Sequence, residues 1–123
     1  MTMRIDVLPR TQFAGPFTQS TFQSLNTGDF QTATLQVWVD GMLNPPPGGS
    51  DKLQVVVQDA DFNEERDFGP SDNPTWERTA DGSATLRLAI PKRFLRLEII
   101  PTLTGGAGPT LAINVRARLL LDG

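Results

Sequence analysis

The chain has 123 residues, 11 basic and 14 acidic, for a net charge of −3, and it contains no histidine, cysteine or tyrosine. Those absences remove the commonest general acid–base, the thiol nucleophile and the commonest transition-metal ligand, leaving only a glycosidase-type pair of carboxylates formally open, so we expect no enzyme, no cofactor and no metal. The acidic balance gives no support to nucleic-acid binding, and no apolar run approaches the ~20 residues of a membrane-spanning helix; MTMRIDVLPR lacks the apolar stretch of a signal peptide, so a cytoplasmic start is expected.

Residues 1–30 form a segment of their own. TQFAGPFTQSTFQSLNTGDF sets Phe13, Phe17, Phe22 and Phe30 in a background of Gln, Thr and Ser, with weak strand signals at Arg4 to Leu8 and Phe17 to Leu25. Two readings are open. Either the segment is an edge strand and loop whose rings plug the fold's own end, or it is an extended arm that lays them on a neighbour by strand addition. On the arm reading, deleting residues 1–25 should leave the rest folded.

From residue 31 onward, period two dominates, as half-buried strands require. QTATLQVWVD places Leu35, Val37 and Val39 on one face against Trp38 on the other. KLQVVVQD turns Leu53, Val55 and Val57 inward, and a weaker candidate covers Thr75 to Arg78. ATLRLAI sets Leu86, Leu88 and Ile90 inward, Pro91 marks a boundary, and RFLRLEII follows with Leu95, Leu97 and Ile99. The last strand, TLAINVRARLLL, alternates from Leu111 through Leu121. Turn-forming clusters at NPPPGGSD, TADGSA and TGGAGP separate the strands, and no segment keeps helical spacing over three turns. The expected fold is all-β: an antiparallel two-sheet sandwich of jelly-roll type over residues 31–123, with the N-terminal segment as arm or edge. Strand order does not follow from these patterns.

Three motifs invite a chemical reading. TGGAGP lacks the Lys-Ser/Thr of a phosphate loop and sits between strands, so it reads as a hairpin turn. PPPGG, a stiff segment released by two glycines, reads as a surface loop. DADFNEERD carries Asp59, Asp61 and Asn63 at calcium-loop spacing, but Glu64 stands where Gly is needed and Pro70 where the closing Glu is needed. It therefore reads as a solvated tip between strands.

Charge is segregated along the chain. Asp59 to Asp81 holds eight acids against Arg66 and Arg78, whereas Arg87 to Arg118 holds six bases against Glu98 alone. Folding either keeps an acidic rim and a basic sheet face apart, or neutralises them across neighbouring strands.

The order VVVQDA, acidic loop, Trp76, ATLRLAIPKRFLRLEII, Gly-rich turn and a closing RARLLLDG resembles the small β-sandwich decoration, or cement, proteins of tailed bacteriophage capsids, over roughly residues 53–122. KRFLRLEI equally resembles the strand of discoidin-like carbohydrate-binding sandwiches. The first resemblance implies a non-enzymatic virion protein, made in the host cytoplasm. It would sit on the capsid surface, often as a trimer, and bridge neighbouring major-capsid subunits. Phe13, Phe17 and Phe22 are then candidate anchors, with Arg93 and Arg96 as further partner contacts. The competing class is a carbohydrate- or receptor-binding module of a fibre or tail, and Trp38, opposite its strand's apolar face, separates the two by whether its ring is free.

Overall fold

The computed structural model describes residues 2–28, 30–90, 92–103 and 110–122, which form two antiparallel sheets packed face to face. The strands are β1 Thr2–Phe13, β2 Phe17–Thr18, β3 Leu25–Asn26, β4 Thr32–Asp40, β5 Lys52–Ala60, β6 Gly69–Pro70, β7 Trp76–Arg78, β8 Gly82–Ala89, β9 Phe94–Thr102 and β10 Ile113–Asp122. One sheet has the order β1-β10-β4-β8; the other has β2-β9-β5-β6, with β3 also on β9 and β7 also on β5.

Strand order follows one rule. The short strands β2 and β3 are two fragments of one path along β9, and β6 and β7 are two fragments of one path along β5. In units of such paths, the first pairs with the last, the second with the next to last, and so on inward, alternating between the sheets. The chain is one long antiparallel hairpin rolled into a jelly roll. Its bend is the acidic segment 61–68, which contains the single helical turn among the described residues, a 3-10 turn at Glu65–Asp67.

Alternation builds the core as expected. Leu35, Val37 and Val39 of β4, Leu53, Val55 and Val57 of β5, Leu95, Leu97 and Ile99 of β9, and Ile113 to Leu121 of β10 at every second position are all 3% exposed or less. Each such side chain contributes about 1.5–3 kcal/mol relative to exposure, so the two inner faces dominate the stability. Leu111 is a correction: β10 begins only at Ile113, and Leu111 stands 77% exposed before it. TGGAGP and Pro91 lie outside the described residues.

The N-terminal residues are built into the sandwich. β1 lies at the edge of its sheet and pairs with β10 along its length, with register shifts between Asp6 and Leu8 and between Leu8 and Thr11. Pro9, which has no N–H to donate, falls in the second shift, where an edge strand tolerates it. The first shift bulges Val7 out of register, and the buried Gln19 amide donates to the Val7 carbonyl at 2.8 Å while its oxygen accepts from the Leu97 N–H at 2.9 Å. That side chain ties β1 to β9 across the open side of the sandwich. Phe13 is 6% exposed, and its ring lies 5.4 Å from that of Phe17 on the opposite sheet. Of the two readings of the segment, residues 2–13 take the edge-strand one: they form a whole strand and supply part of the core, which argues against their being dispensable for folding.

The Pro-rich loop is held from within. The fully buried Asp51 carboxylate accepts from the Asn44 N–H at 3.0 Å and from the Thr110 hydroxyl, which in turn accepts from the Leu43 N–H at 3.1 Å. Gly49 sits where a Cβ would lie 2.1 Å from the Asn44 carbonyl oxygen, so only glycine fits there.

Candidate functional site

Two surfaces stand out, one at the bend of the long hairpin and one on the outer face of the four-stranded sheet. At the bend, the turn at 20–23 is braced by the Gln23 N–H donating to the Ser20 carbonyl at 3.0 Å, and the Gln23 side-chain oxygen accepts from the Ser20 N–H at 2.9 Å. Asn63 joins this turn to the acidic segment: it accepts from the Ser24 hydroxyl at 2.7 Å and donates to the Thr21 carbonyl at 3.1 Å. The two loops so joined carry Phe22 and Phe62, which are 99% and 69% exposed. Rings kept in water by a hydrogen-bonded loop form an apolar surface without cover from this chain. Asp61, Glu64 and Asp67 around them are exposed, so the apolar tip has an acidic rim.

Arg96 fixes the base of this tip. It points to the outer side of β9, yet it is only 4% exposed, because the acidic segment folds back over it. Its two Nη atoms donate to the Glu65 carboxylate at 2.7 and 2.9 Å, Nε donates to Gln58 Oε1 at 2.7 Å, and the guanidinium lies 4.3 Å from the centre of the Phe68 ring. The Arg96 hydrogen bonds hold the Glu65 carboxyl below its ordinary range. Fork-to-fork pairing of this kind gives fixed geometry as well as energy.

Among the residues singled out from sequence, Phe22 is presented to solvent, Phe17 is half-buried, and Phe13 is enclosed by the chain's own core. Arg93 is exposed at the edge of the tip, its Nε 3.4 Å from Asn26 Oδ1, and Arg96 is committed to Glu65. Sequence reading missed Phe62, which sits inside DADFNEERD and was hidden by the search for carboxylate ligands there. It also missed Gln19, since nothing in a Gln/Thr/Ser background marks one amide as the buried one.

The acidic segment is a tip, but Asp59 does not belong to it. Asp59 is the penultimate residue of β5, 4% exposed, with Oδ2 lacking any hydrogen-bond partner. Burial raises its pKa above the ordinary 3.8; Lys92 opposes this and Asp72 and Asp61 add to it. A raised value means the folded state favours the protonated carboxyl: stability from this group is complete below the unfolded value and is lost as pH rises through the folded one. Asp59→Asn is therefore expected to raise unfolding stability at pH 7 by about 1 kcal/mol, and to bring no gain at pH 3, in urea melts at the two pH values. Among the described residues no group of three Asp or Glu is placed to hold a metal ion.

The second surface is rich in arginine. Cross-strand register lines up Arg4, Leu120, Thr34 and Arg87 in one row, and Asp6, Arg118, Gln36 and Thr85 in the next. Asp6 pairs with Arg118 at 3.0 Å and Arg116 at 3.7 Å, and Arg10 pairs with Asp40 at 2.9 Å. Hydrogen bonding to Arg118 lowers the Asp6 pKa. Trp38 is half-buried beneath the guanidinium groups of Arg116 and Arg118, 4.8 and 5.6 Å from its ring centre. Trp76 is 5% exposed. Neither tryptophan presents a bare face on which a sugar could stack. The charge segregation seen in the sequence thus survives in part: a net-basic sheet face and an acidic tip remain, while Arg96 and Glu65 neutralise each other between them.

No protein-family model matches this sequence, and no curated protein does. Solved structures do share its fold. The chain aligns with the viral particle of infectious bursal disease virus at TM-score 0.60 and 16% identity, covering 98% of this chain and 30% of that one. It aligns with the VP2 subviral particle of the same virus at TM-score 0.57 and 16% identity, covering 98% and 32%. This chain spans about a third of those capsid chains. The shared property is the capsid-type β-sandwich. These neighbours, from infectious bursal disease virus, share the sandwich architecture expected from sequence.

Proposed function

We propose that this protein is a non-enzymatic structural component of a virion, a β-sandwich that attaches to the capsid exterior and bridges neighbouring major-capsid subunits. The observation that carries this reading is Phe22, 99% exposed on a braced turn that Asn63 ties to the loop of Phe62. Two preformed apolar anchors supply affinity without the entropic cost of ordering a loose arm on binding. The acidic rim selects a partner whose receiving pocket has basic edges and steers its approach. Several copies, for example a trimer at one lattice point, would turn modest single contacts into tight attachment through high effective concentration. The capsid-type sandwich shared with the virus particles supports the reading at the level of fold.

The test is co-sedimentation with purified capsids lacking this protein. Phe22→Ser combined with Phe62→Ser is expected to weaken capsid binding by roughly 1000-fold, at about 2 kcal/mol for each truncated anchor. Thermal unfolding should be unchanged, because neither ring is buried. A double variant that saturates capsids at wild-type concentrations would overturn the proposal.

A further inference from the structure

The outer face of the β1-β10-β4-β8 sheet is opposite in character to the aromatic tip, and capsid attachment through the tip makes no use of it. Two shallow concavities lie along β10. One, of about 180 Å³, is lined by Arg4, Thr34, Gln36, Thr85, Arg118 and Leu120; the other, of about 190 Å³, is lined by Arg10, Trp38, Asp40, Asn114 and Arg116. Arg118 and Arg116 are two residues apart on one strand, so the concavities sit in line about 7 Å apart. Each is several times the ~30 Å³ share of one water, room for a polar ring rather than a single solvent molecule.

The functional groups in the first concavity are mostly hydrogen-bond donors. Arg118 uses Nε for Asp6, at 3.0 Å, which leaves the outer nitrogens of its fork. Among the described residues Arg4 has no ion-pair partner, and Arg87, the cross-strand neighbour of Thr34, bonds only to the Thr32 hydroxyl, at 3.3 Å. Two guanidinium groups therefore line it together with hydroxyls, an amide and Leu120, and a third, that of Arg87, stands on the neighbouring strand beside Thr34. The second concavity adds acceptor capacity: the Asn114 amide oxygen, and the lone pairs left to the Asp40 carboxylate, which already accepts from Arg10 at 2.9 and 3.2 Å and from the Asn114 NH2 at 2.9 Å. An oxyanion needs the donors alone, whereas a sugar ring carrying an oxyanion and hydroxyls uses both sets. A nucleic acid would meet the Asp6 and Asp40 carboxylates along its path, in a chain of net charge −3.

We infer that this sheet face binds an acidic saccharide, its sulfate or carboxylate held between Arg4 and Arg118 and a second sugar unit resting beside Arg116. Recognition is by guanidinium and hydroxyl hydrogen bonds, with Trp38 acting as the platform that holds the arginines rather than as the stacking face. This inference stands independently of capsid attachment.

The experiment is an amide-resolved NMR titration of the intact protein with a sulfated heparin-derived tetrasaccharide, a tetragalacturonate and neutral cellotetraose. Saturable shifts at Thr34, Gln36 and Thr85 are expected with one or both acidic probes and none with the neutral one; which acidic probe binds identifies the oxyanion. Arg4→Gln combined with Arg87→Gln, both exposed positions, should weaken binding at least tenfold, and Thr85→Val, which changes no charge, should weaken it severalfold. Phe22→Ser should leave it unchanged. Equal affinity for cellotetraose, no saturation with either acidic probe, or an equal loss in Arg66→Gln on the far side of the sandwich would overturn the inference. So would concentration-dependent shifts of the same residues without sugar, since a second copy would then be the occupant.

Discussion

Deleting residues 1–13 is expected to abolish cooperative folding, not merely to trim an appendage. β1 contributes an entire ladder to β10 and two core side chains, Leu8 at 3% and Phe13 at 6% exposure. Truncating a buried Leu costs about 2–5 kcal/mol and a buried Phe about 3–5 kcal/mol, which together reach the total stability of about 5–15 kcal/mol of an ordinary domain. The deletion also bares the backbone edge of β10 and strips the buried Gln19 amide of its acceptor, the Val7 carbonyl. The shortened chain should show no unfolding transition by circular dichroism and should aggregate. Phe13→Ala is the graded version, with an expected loss of about 3 kcal/mol in urea unfolding. Phe22→Ser, nine residues further on, should stay within about 0.5 kcal/mol of the wild type. A folded deletion variant would show that the sandwich closes without β1.

How much of this was legible in the sequence depended on whether side-chain phase was kept. β4, β5, β9 and β10 alternate without interruption, so their inner faces could be listed residue by residue. β1 alternates through Ile5 and Val7, then slips at the bulge so that Leu8 turns inward, and slips again around Pro9. Two shifts in one strand erase the period that identifies it. For this reason an edge strand of the sheet could also be read as a detachable arm. β2 and β3 were illegible for another reason: at two residues each they carry no period at all. The candidate site divided along the same line. Phe22 was visible as an apolar residue among polar ones, but the exposure that separates it from Phe13 depends on tertiary closure, which local pattern does not report.

The jelly-roll connection explains why the interacting features lie where they do. In a hairpin rolled from its open end, the bend is the one loop whose two limbs are already adjacent when the last strands close, so it can project without carrying core residues. The acidic run and Phe62 occupy this bend, and the turn of Phe22 is brought beside it because β2 and β3 flank β9, the neighbour of β5. Arg4, Arg10, Arg87, Arg116 and Arg118 fall on β1, β8 and β10, which the alternation assigns to the other sheet, whereas Arg93 and Arg96 stay with β9 beside the tip. Charge segregation along the sequence thus becomes segregation in space only for the part carried by the four-stranded sheet.

Arg96→Met is expected to loosen the bend selectively and to cost about 3 kcal/mol. The guanidinium is almost fully covered, and three hydrogen bonds and the Phe68 ring hold it. Charge-assisted hydrogen bonds are worth about 1.5–3 kcal/mol each, but Glu65 regains water when released, so the net falls well below their sum. Methionine keeps much of the apolar volume, hence the loss is read in the loop more than in the core. Backbone amides of residues 61–68 should exchange with deuterium far faster than in the wild type, while those of β4 and β10 speed up only as far as the loss of global stability requires. Glu65→Gln separates charge from shape: it keeps the side-chain length but leaves a covered guanidinium without its counter-charge, and should destabilise the bend at neutral pH. Because the Glu65 pKa is lowered in the folded protein, its contribution is present above the ordinary glutamate value of 4.5 and lost as pH falls through the folded value. The wild type should therefore lose its advantage over Glu65→Gln in acid, whereas the difference persists at neutral pH. Exchange at 61–68 that is unchanged in Arg96→Met would mean that the bend holds its shape without this clasp.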